Sequence, residues 1–193
     1  MKRMSMLVVV LVVMAAGYGV SQTPQVRPVT HRTKLSQPAV IQGVPCAKGY
    51  AWFYADGRLE SCAVSREFAF GEAKLPSGSI LHLLPDGRPK SAMLQHDSVV
   101  AGVKCSGGNW LLGPSESAMT AFYPSGKLQQ CFLSEDQTVQ GVPCMRAGSL
   151  GFFGDGAWRD GGAKFYESGK LHSCTLSRDY GTQHRGDHFV QAQ

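Results

Sequence analysis

A short pattern that occurs four times constrains the fold of this chain more than any other feature. Each copy has two large apolar or aromatic residues, one variable residue, Asp or Ser, Gly, and then Arg or Lys. The four copies occupy residues 52–59, 82–89, 121–128 and 164–171. Self-similarity of this kind is typical of repeat architectures. Glycine after Asp or Ser between apolar runs indicates hairpin tips, so we predict four β-hairpins.

The type of turn can be inferred from two prolines. Pro85 and Pro124 precede the Asp or Ser of their copies, and proline fixes φ near −65°. That value suits the first central position of a type I turn, followed by Asp or Ser and then by glycine in the left-handed region. We therefore predict a three-residue loop that closes with a bulge at the glycine.

The strand after each turn carries a second pattern. Positions five and seven residues after the glycine are apolar or cysteine, and residues two apart share one face of a strand. We expect these eight side chains to point into the core: Cys62, Val64, Ala92, Leu94, Cys131, Leu133, Cys174 and Leu176.

A Gly-Val-x-Cys motif precedes three of the four hairpins. It ends at Cys46, Cys105 and Cys144, and in the second copy Lys74 stands in the place of the cysteine. We read each module as a leading strand, a variable loop and a hairpin. The predicted modules cover residues 40–66, 67–97, 98–136 and 137–180.

The six cysteines allow fifteen complete pairings. Bonds between a return strand and the next leading strand would leave Cys62 and Cys105 opposite Lys74 and Ala92. Zinc binding would need closely spaced ligands, and no two cysteines here are that close. We predict disulfides within modules, each worth about 3–4 kcal/mol in the chain-entropy treatment: Cys46–Cys62, Cys105–Cys131 and Cys144–Cys174.

The first 21 residues have the pattern of a secretory signal peptide. Lys2 and Arg3 precede an apolar run over residues 7–16, and cleavage is expected near Gly19 or Ser21. The alternative, a membrane anchor, needs roughly 20 apolar residues. We expect no stable membrane insertion after cleavage and a periplasmic or extracellular location, where disulfides persist.

Two flanking segments lack apolar periodicity. Residues 22–39 contain three prolines and read as a flexible linker, with a first edge strand as the alternative. Residues 181–193 read as a flexible tail. His184 and His188 would share a face only on a helix, which the tail does not predict, so we expect no metal and no cofactor.

Charge and motifs exclude several functions. The formal charge of +5 falls to +3 without Lys2 and Arg3, which is too little for a nucleic-acid binder. No Gly-x-Ser-x-Gly motif is present. His82 and His172 are expected at the surface, and we predict no catalytic residues.

The aromatic residues beside the turns are the candidate binding surface. If one ring of each pair points outward, Tyr54, Tyr123 and Tyr166 form a row beside Arg58, Lys127 and Lys170. Such a row could bind an unidentified protein or glycan. The alternative is that these rings only pack neighbouring modules together.

The segments 122–128 and 165–171, with the variant 53–59, read Phe-Tyr-x-x-Gly-Lys/Arg-Leu and resemble the hairpin units of MORN-type repeats, in particular a bacterial variant. The resemblance implies an elongated antiparallel sheet used for protein or lipid contact. The modules here are longer and add the Gly-Val-x-Cys strand and the cysteine pairs.

Together these features predict an all-β protein, with four hairpin modules side by side in one twisted, disulfide-stapled antiparallel sheet. The predicted function is a secreted, non-catalytic binding or scaffold module. Alternatives are an immunity-type inhibitor of a partner enzyme and a small secreted hydrolase. A hydrolase predicts that His82, His172 and an acid converge.

Overall fold

The computed structural model describes residues 31–107, 119–146 and 162–191. These residues form strands and turns and contain no helix, as predicted. The predicted signal peptide, residues 1–21, lies outside the described residues. In chain order the strands are β1 His31–Leu35, β2 Ala39–Ile41, β3 Val44–Phe53, β4 Leu59–Val64, β5 Phe68–Phe70, β6 Ala73–Leu75, β7 Ile80–Leu83, β8 Pro89–Met93, β9 Ser98–Val100, β10 Val103–Cys105, β11 Thr120–Phe122, β12 Leu128–Phe132, β13 Gln137–Val139, β14 Val142–Cys144, β15 Gly162–Phe165, β16 Leu171–Thr175 and β17 His188–Val190.

One antiparallel sheet contains the four predicted hairpins. Its strand order is β1-β3-β4-β7-β8-β11-β12-β15-β16-β17, and β2 pairs with the beginning of β3. We call β3–β4, β7–β8, β11–β12 and β15–β16 main hairpins 1 to 4. They follow one another across the sheet in chain order, so sequence neighbours are also neighbours in space. The all-β antiparallel prediction is confirmed.

The four main turns have the predicted geometry. In each, the glycine amide donates to the carbonyl three residues before it at 2.8–2.9 Å, and φ of the glycine lies between 82° and 87°. The register then shifts by one residue on the return strand. A type I turn with a left-handed glycine produces this bulge.

A short hairpin precedes each main hairpin, whereas the sequence predicted only a single leading strand there. β2 with β3, β5–β6, β9–β10 and β13–β14 form these leading hairpins. Three of them turn through two residues of positive φ, Gln42-Gly43, Ala101-Gly102 and Gln140-Gly141, which defines a type I′ turn.

The second leading hairpin corrects the sequence alignment. Gly71 has a φ of 54° and occupies the first turn position, where the others have Gln42, Ala101 and Gln140. Leu75, not Lys74, is therefore the counterpart of the cysteine. The prediction aligned the glycine with the second turn position and shifted the strand by one residue.

The core lies on one face of the main sheet, which the leading hairpins cover. It includes all six cysteines, each at most 2% exposed. The disulfides join Cys46 to Cys62, Cys105 to Cys131 and Cys144 to Cys174, each with a Cα–Cα distance of 5.7 Å. These are the pairs that the module scheme predicts. At the fourth equivalent place, Leu75 and Ala92 are both fully buried.

The two flanking segments differ from the prediction. Residues 31–35 belong to the predicted linker but form β1, and β17 forms within the predicted tail. Both are edge strands of the main sheet. Edge strands are short and often charged, so they lack the alternation that identifies an inner strand. Phe189 of β17 packs against the core.

In the three described segments, we find no helix with the length and apolarity needed to span a membrane.

Candidate functional site: the open face of the main sheet

A single row of side chains crosses the whole main sheet on the face opposite the disulfides. The cross-strand register defines it, and its neighbours along each strand point to the core. We call this surface the open face. From β1 to β17 the row is Arg32, Trp52, Ser61, His82, Ser91, Ala121, Gln130, Lys164, Ser173 and Val190.

The bulges of the main hairpins add a second residue beside this row. In each hairpin, two residues of the return strand oppose one residue of the first strand, and a bulge re-aims the additional side chain. The four additional residues are Glu60, Lys90, Gln129 and His172. The three after Glu60 line grooves on the open face.

Two adjoining grooves run across the strands of the open face. The first, of about 340 Å³, is lined by His82, Lys90, Ala121 and the pair Gln129-Gln130. The second, of about 410 Å³, is lined by the same glutamines together with Lys164, Tyr166 and His172. The glutamine pair lines both grooves, and we call the two adjoining grooves together, from β7 to β16, the open-face groove.

Ala121 is a small residue among those that line the open-face groove. The equivalent positions in the other main hairpins carry Trp52, His82 and Lys164. The small side chains of Ala121 and of its cross-strand neighbour Ser91 leave space above the sheet in the first groove, which both residues line.

The charge of the open-face groove is positive. Lys90 and Lys164 are exposed, and neither takes part in an ion pair within the described residues. No carboxylate is among the described residues that line the groove. Three cations outside the groove are paired with acids: Arg58 with Asp56 at 2.6 Å, Arg88 with Asp86 at 2.5 Å, and Lys104 with Glu135 at 2.5 Å.

Three aspartates accept hydrogen bonds within turns: Asp56, Asp86 and Asp179. Hydrogen bonds from Arg58 and Arg88 hold the pKa of Asp56 and of Asp86 below the usual aspartate value. A hydrogen bond from the backbone amide of Arg185, at 2.9 Å, is the main reason why the pKa of Asp179 is lowered. None of these three acids lines the open-face groove.

The three predicted tyrosines all use their hydroxyls in hydrogen bonds to the backbone, and they differ in exposure: Tyr54 is buried, whereas Tyr123 and Tyr166 are half-buried and line the second groove. The Tyr54 hydroxyl donates to the Leu83 carbonyl at 2.6 Å, and its side chain is buried. Burial is the largest cause of the raised pKa of Tyr54. The Tyr123 and Tyr166 hydroxyls donate to the carbonyls of Phe165 and Gln191 at 2.8 Å. Each tyrosine thus ties its hairpin to a strand further along the sheet, which is the alternative role.

The three predicted basic residues each follow a turn glycine and differ in their surroundings. Arg58 is bound to Asp56 in its own turn. Lys127 lines a separate pocket of about 190 Å³ between the leading hairpins and the turns of main hairpins 3 and 4. Lys170 is exposed in its turn. This smaller pocket also contains Glu72, so it lacks the uniform charge of the open-face groove.

Sequence reasoning missed an aromatic cluster at the β1 edge. The Arg32 guanidinium lies 4.8 Å from the Tyr50 ring centre and 5.6 Å from that of Trp52, which is within cation–π range. Tyr50 is 50% and Trp52 38% exposed. Their spacing of two residues was a signal that both share a face, but Arg32 belonged to a segment read as linker.

The histidines do not assemble a catalytic centre. His82 and His172 lie on strands five places apart in the sheet, or about 24 Å. The His172 Nδ1 lies 3.0 Å from the Ser173 Oγ, yet Ser173 is 1% exposed, so a substrate cannot reach that hydroxyl. The His184 Nδ1 lies 3.6 Å from Asp179. The described residues contain no group of three side chains that could hold a metal ion.

Comparisons of the chain with protein-family models, curated proteins and solved structures found no match. The resemblance to MORN-type repeats therefore stays a prediction. Three disulfides fit an oxidising compartment such as the periplasm or the extracellular space.

Proposed function

We propose that this protein is a secreted or periplasmic binding module that holds an extended protein, glycan or envelope ligand on the open face of its main sheet. It is a non-catalytic module, exported by the signal peptide over residues 1–21. The observation that carries the proposal is the open-face groove, which runs across six strands and combines amide, imidazole and ammonium groups.

The two faces of the sheet support this assignment. The leading hairpins and disulfides cover the core face, and they fix the sheet without using the open face. Binding surfaces benefit from rigid support, because less conformational entropy is lost when the ligand binds. The polar groups of the groove are already in place before any ligand arrives.

The test is a groove-filling substitution. Ala121→Trp places a large ring at the floor of the groove, and Trp52 at the equivalent position shows that the sheet accommodates a tryptophan there. Thr138→Trp is the matched control, since Thr138 is exposed on β13 of a leading hairpin. Both variants and the wild type would be immobilised and exposed to an envelope and culture extract and to a glycan array.

We expect the wild type and Thr138→Trp to retain the same ligand and Ala121→Trp to lose it. Circular dichroism and thermal melting would establish that all three proteins are folded. Equal retention by all three would contradict the proposal, as would loss in the control alone.

A further inference from the structure

We infer that the ligand of the open-face groove is an acidic polysaccharide, lying across the strands with its carboxylates at Lys90 and Lys164. This inference rests on the proposed function and names its ligand class. The argument begins with the distribution of charge: two exposed lysines line the groove, and none of the described residues that line it is a carboxylate.

The spacing of the two lysines favours an extended ligand. Lys90 lies on β8, and Lys164 lies on β15, which is three strands further along the sheet. At about 4.8 Å per strand, the two positions lie about 14 Å apart. A ligand that meets both lysines must therefore be a chain of several units, with at least two negative charges.

The groups between the lysines suit a polyhydroxylated chain. The amides of Gln129 and Gln130 each offer donors and an acceptor, which match the hydroxyls of sugars. A peptide in extended conformation would instead add to an edge of the sheet, where backbone groups are unpaired. The groove crosses the strands on a face, so side chains rather than backbone must make the contacts.

A nucleic acid fits this groove less well. Nucleic-acid binding draws on a concentrated basic stripe that neutralises many phosphates. The described groove offers two lysines, and the ring of Tyr166 packs edge-on against His172 with 4.6 Å between ring centres. Sparse positive charge with amides between is the pattern expected for a carboxylated sugar chain.

The experiment measures the affinity of the full mature chain for polygalacturonate by isothermal titration calorimetry. The methyl-esterified polymer is the uncharged match, and a single-stranded DNA oligonucleotide tests the competing class. The variants are Lys90→Gln and Lys164→Gln. Lys74→Gln is the control, because Lys74 is an exposed lysine on β6 of a leading hairpin.

We expect polygalacturonate to bind and its methyl ester to bind at least about tenfold more weakly. Each groove variant should weaken binding by about fivefold, and Lys74→Gln should leave it unchanged. Equal binding of the ester, equal loss in Lys74→Gln, or tighter binding of DNA would each overturn the inference.

The two proposals fail in different ways. If Ala121→Trp abolishes capture of a neutral glycan or a protein while the lysine variants retain it, the acidic ligand is wrong and the open-face site stands. If Ala121→Trp has no effect on any captured ligand, both proposals are wrong.

Discussion

At the scale of single residues, the tyrosines beside the turns show how one hydroxyl can link neighbouring hairpins. Tyr54 and Tyr123 each donate to a backbone carbonyl of the next described main hairpin, and Tyr166 donates to Gln191 after β17. Main hairpin 2 has Leu84 at this position, which has no hydroxyl. The hydroxyls therefore contribute to stability and are not free for a ligand.

Tyr54→Phe removes one such bond and leaves the buried Leu83 carbonyl without its donor. We expect the free energy of unfolding to fall by about 1–2 kcal/mol, measured by urea denaturation. Leu84→Phe, which changes the equivalent position without removing a hydroxyl, is the control. A Tyr54→Phe protein as stable as the wild type would show that the hydroxyl contributes nothing to the fold.

Among the glycines that the structure describes, Gly107 has the closest backbone atoms around its Cβ position. A Cβ added to Gly107 would lie 2.5–2.8 Å from backbone atoms of His96 and Asp97. The backbone amide of Gly107 donates a hydrogen bond to the Asp97 carboxylate at 2.8 Å. We expect Gly107→Ala to reduce the free energy of unfolding by about 2 kcal/mol or more, measured by thermal melting.

The comparison for Gly107 is Gly43→Asn. Gly43 has a φ of 85° but nothing within 4 Å of its Cβ position, and asparagine tolerates the left-handed region. We expect the control to lose much less stability. Equal losses in the two variants would mean that the close approach to His96 is not the cause.

At the scale of elements, the second hairpin pair offers a place for a fourth disulfide. Leu75 and Ala92 are buried where the other pairs have cysteines. We expect the double variant Leu75→Cys/Ala92→Cys to form a bond and to gain about 3 kcal/mol in the chain-entropy treatment.

Mass spectrometry of non-reduced peptides would show whether the bond forms in the double variant. Denaturation of the double variant and of each single variant would measure the change in the free energy of unfolding. The single variants leave an odd thiol and should be less stable than the wild type, because each removes or alters buried apolar volume. A double variant with two free thiols would contradict the alignment of Leu75 with the cysteines.

The aspartates of main turns 1 and 2 make these elements sensitive to acid. The pKa values of Asp56 and Asp86 are lowered in the folded chain, so their contribution is present above the ordinary aspartate pKa. It is lost as the pH falls through the lower, folded-state pKa. We expect Asp56→Asn/Asp86→Asn to be less stable than the wild type at pH 7.

In the same experiment the difference between the two proteins should narrow as the pH falls below the ordinary aspartate pKa, because the wild-type carboxylates then take up protons. Thermal melting from pH 7 to pH 2 measures it. Ser125 and Ser168 occupy the same position in main turns 3 and 4, so Ser125→Asn/Ser168→Asn is a control without a titrating group. A gap that stays equally wide as the pH falls would contradict the assignment to the carboxylates.

How well an element could be predicted depended on how strictly its turn requires particular residue types. Proline and glycine at fixed places in the main turns specified both the loop and its bulge. The leading hairpins were half missed, because Gln42, Ala101 and Gln140 adopt a positive φ that these residues rarely adopt. β1 was missed because an edge strand has no buried face to impose alternation.

At the scale of the whole molecule, the two faces of the main sheet differ. The core face holds the disulfides and the leading hairpins, and the open face holds the groove. The sequence pattern predicted the all-β sheet and the cysteine pairs, since both follow from the spacing of turns and cysteines. The groove was not predictable, because it depends on cross-strand register between hairpins and on where each bulge re-aims a side chain.

The most direct test of this account is hydroxyl-radical footprinting of the chain, free and bound to the partner that it captures. The account predicts that binding protects groove residues of the open face, namely His82, Met119, Tyr166 and His172. Val40 and Val99, which are 67% and 58% exposed on leading hairpins, should be oxidised equally in both states. Protection of Val40 and Val99 with unchanged oxidation of the groove would contradict it.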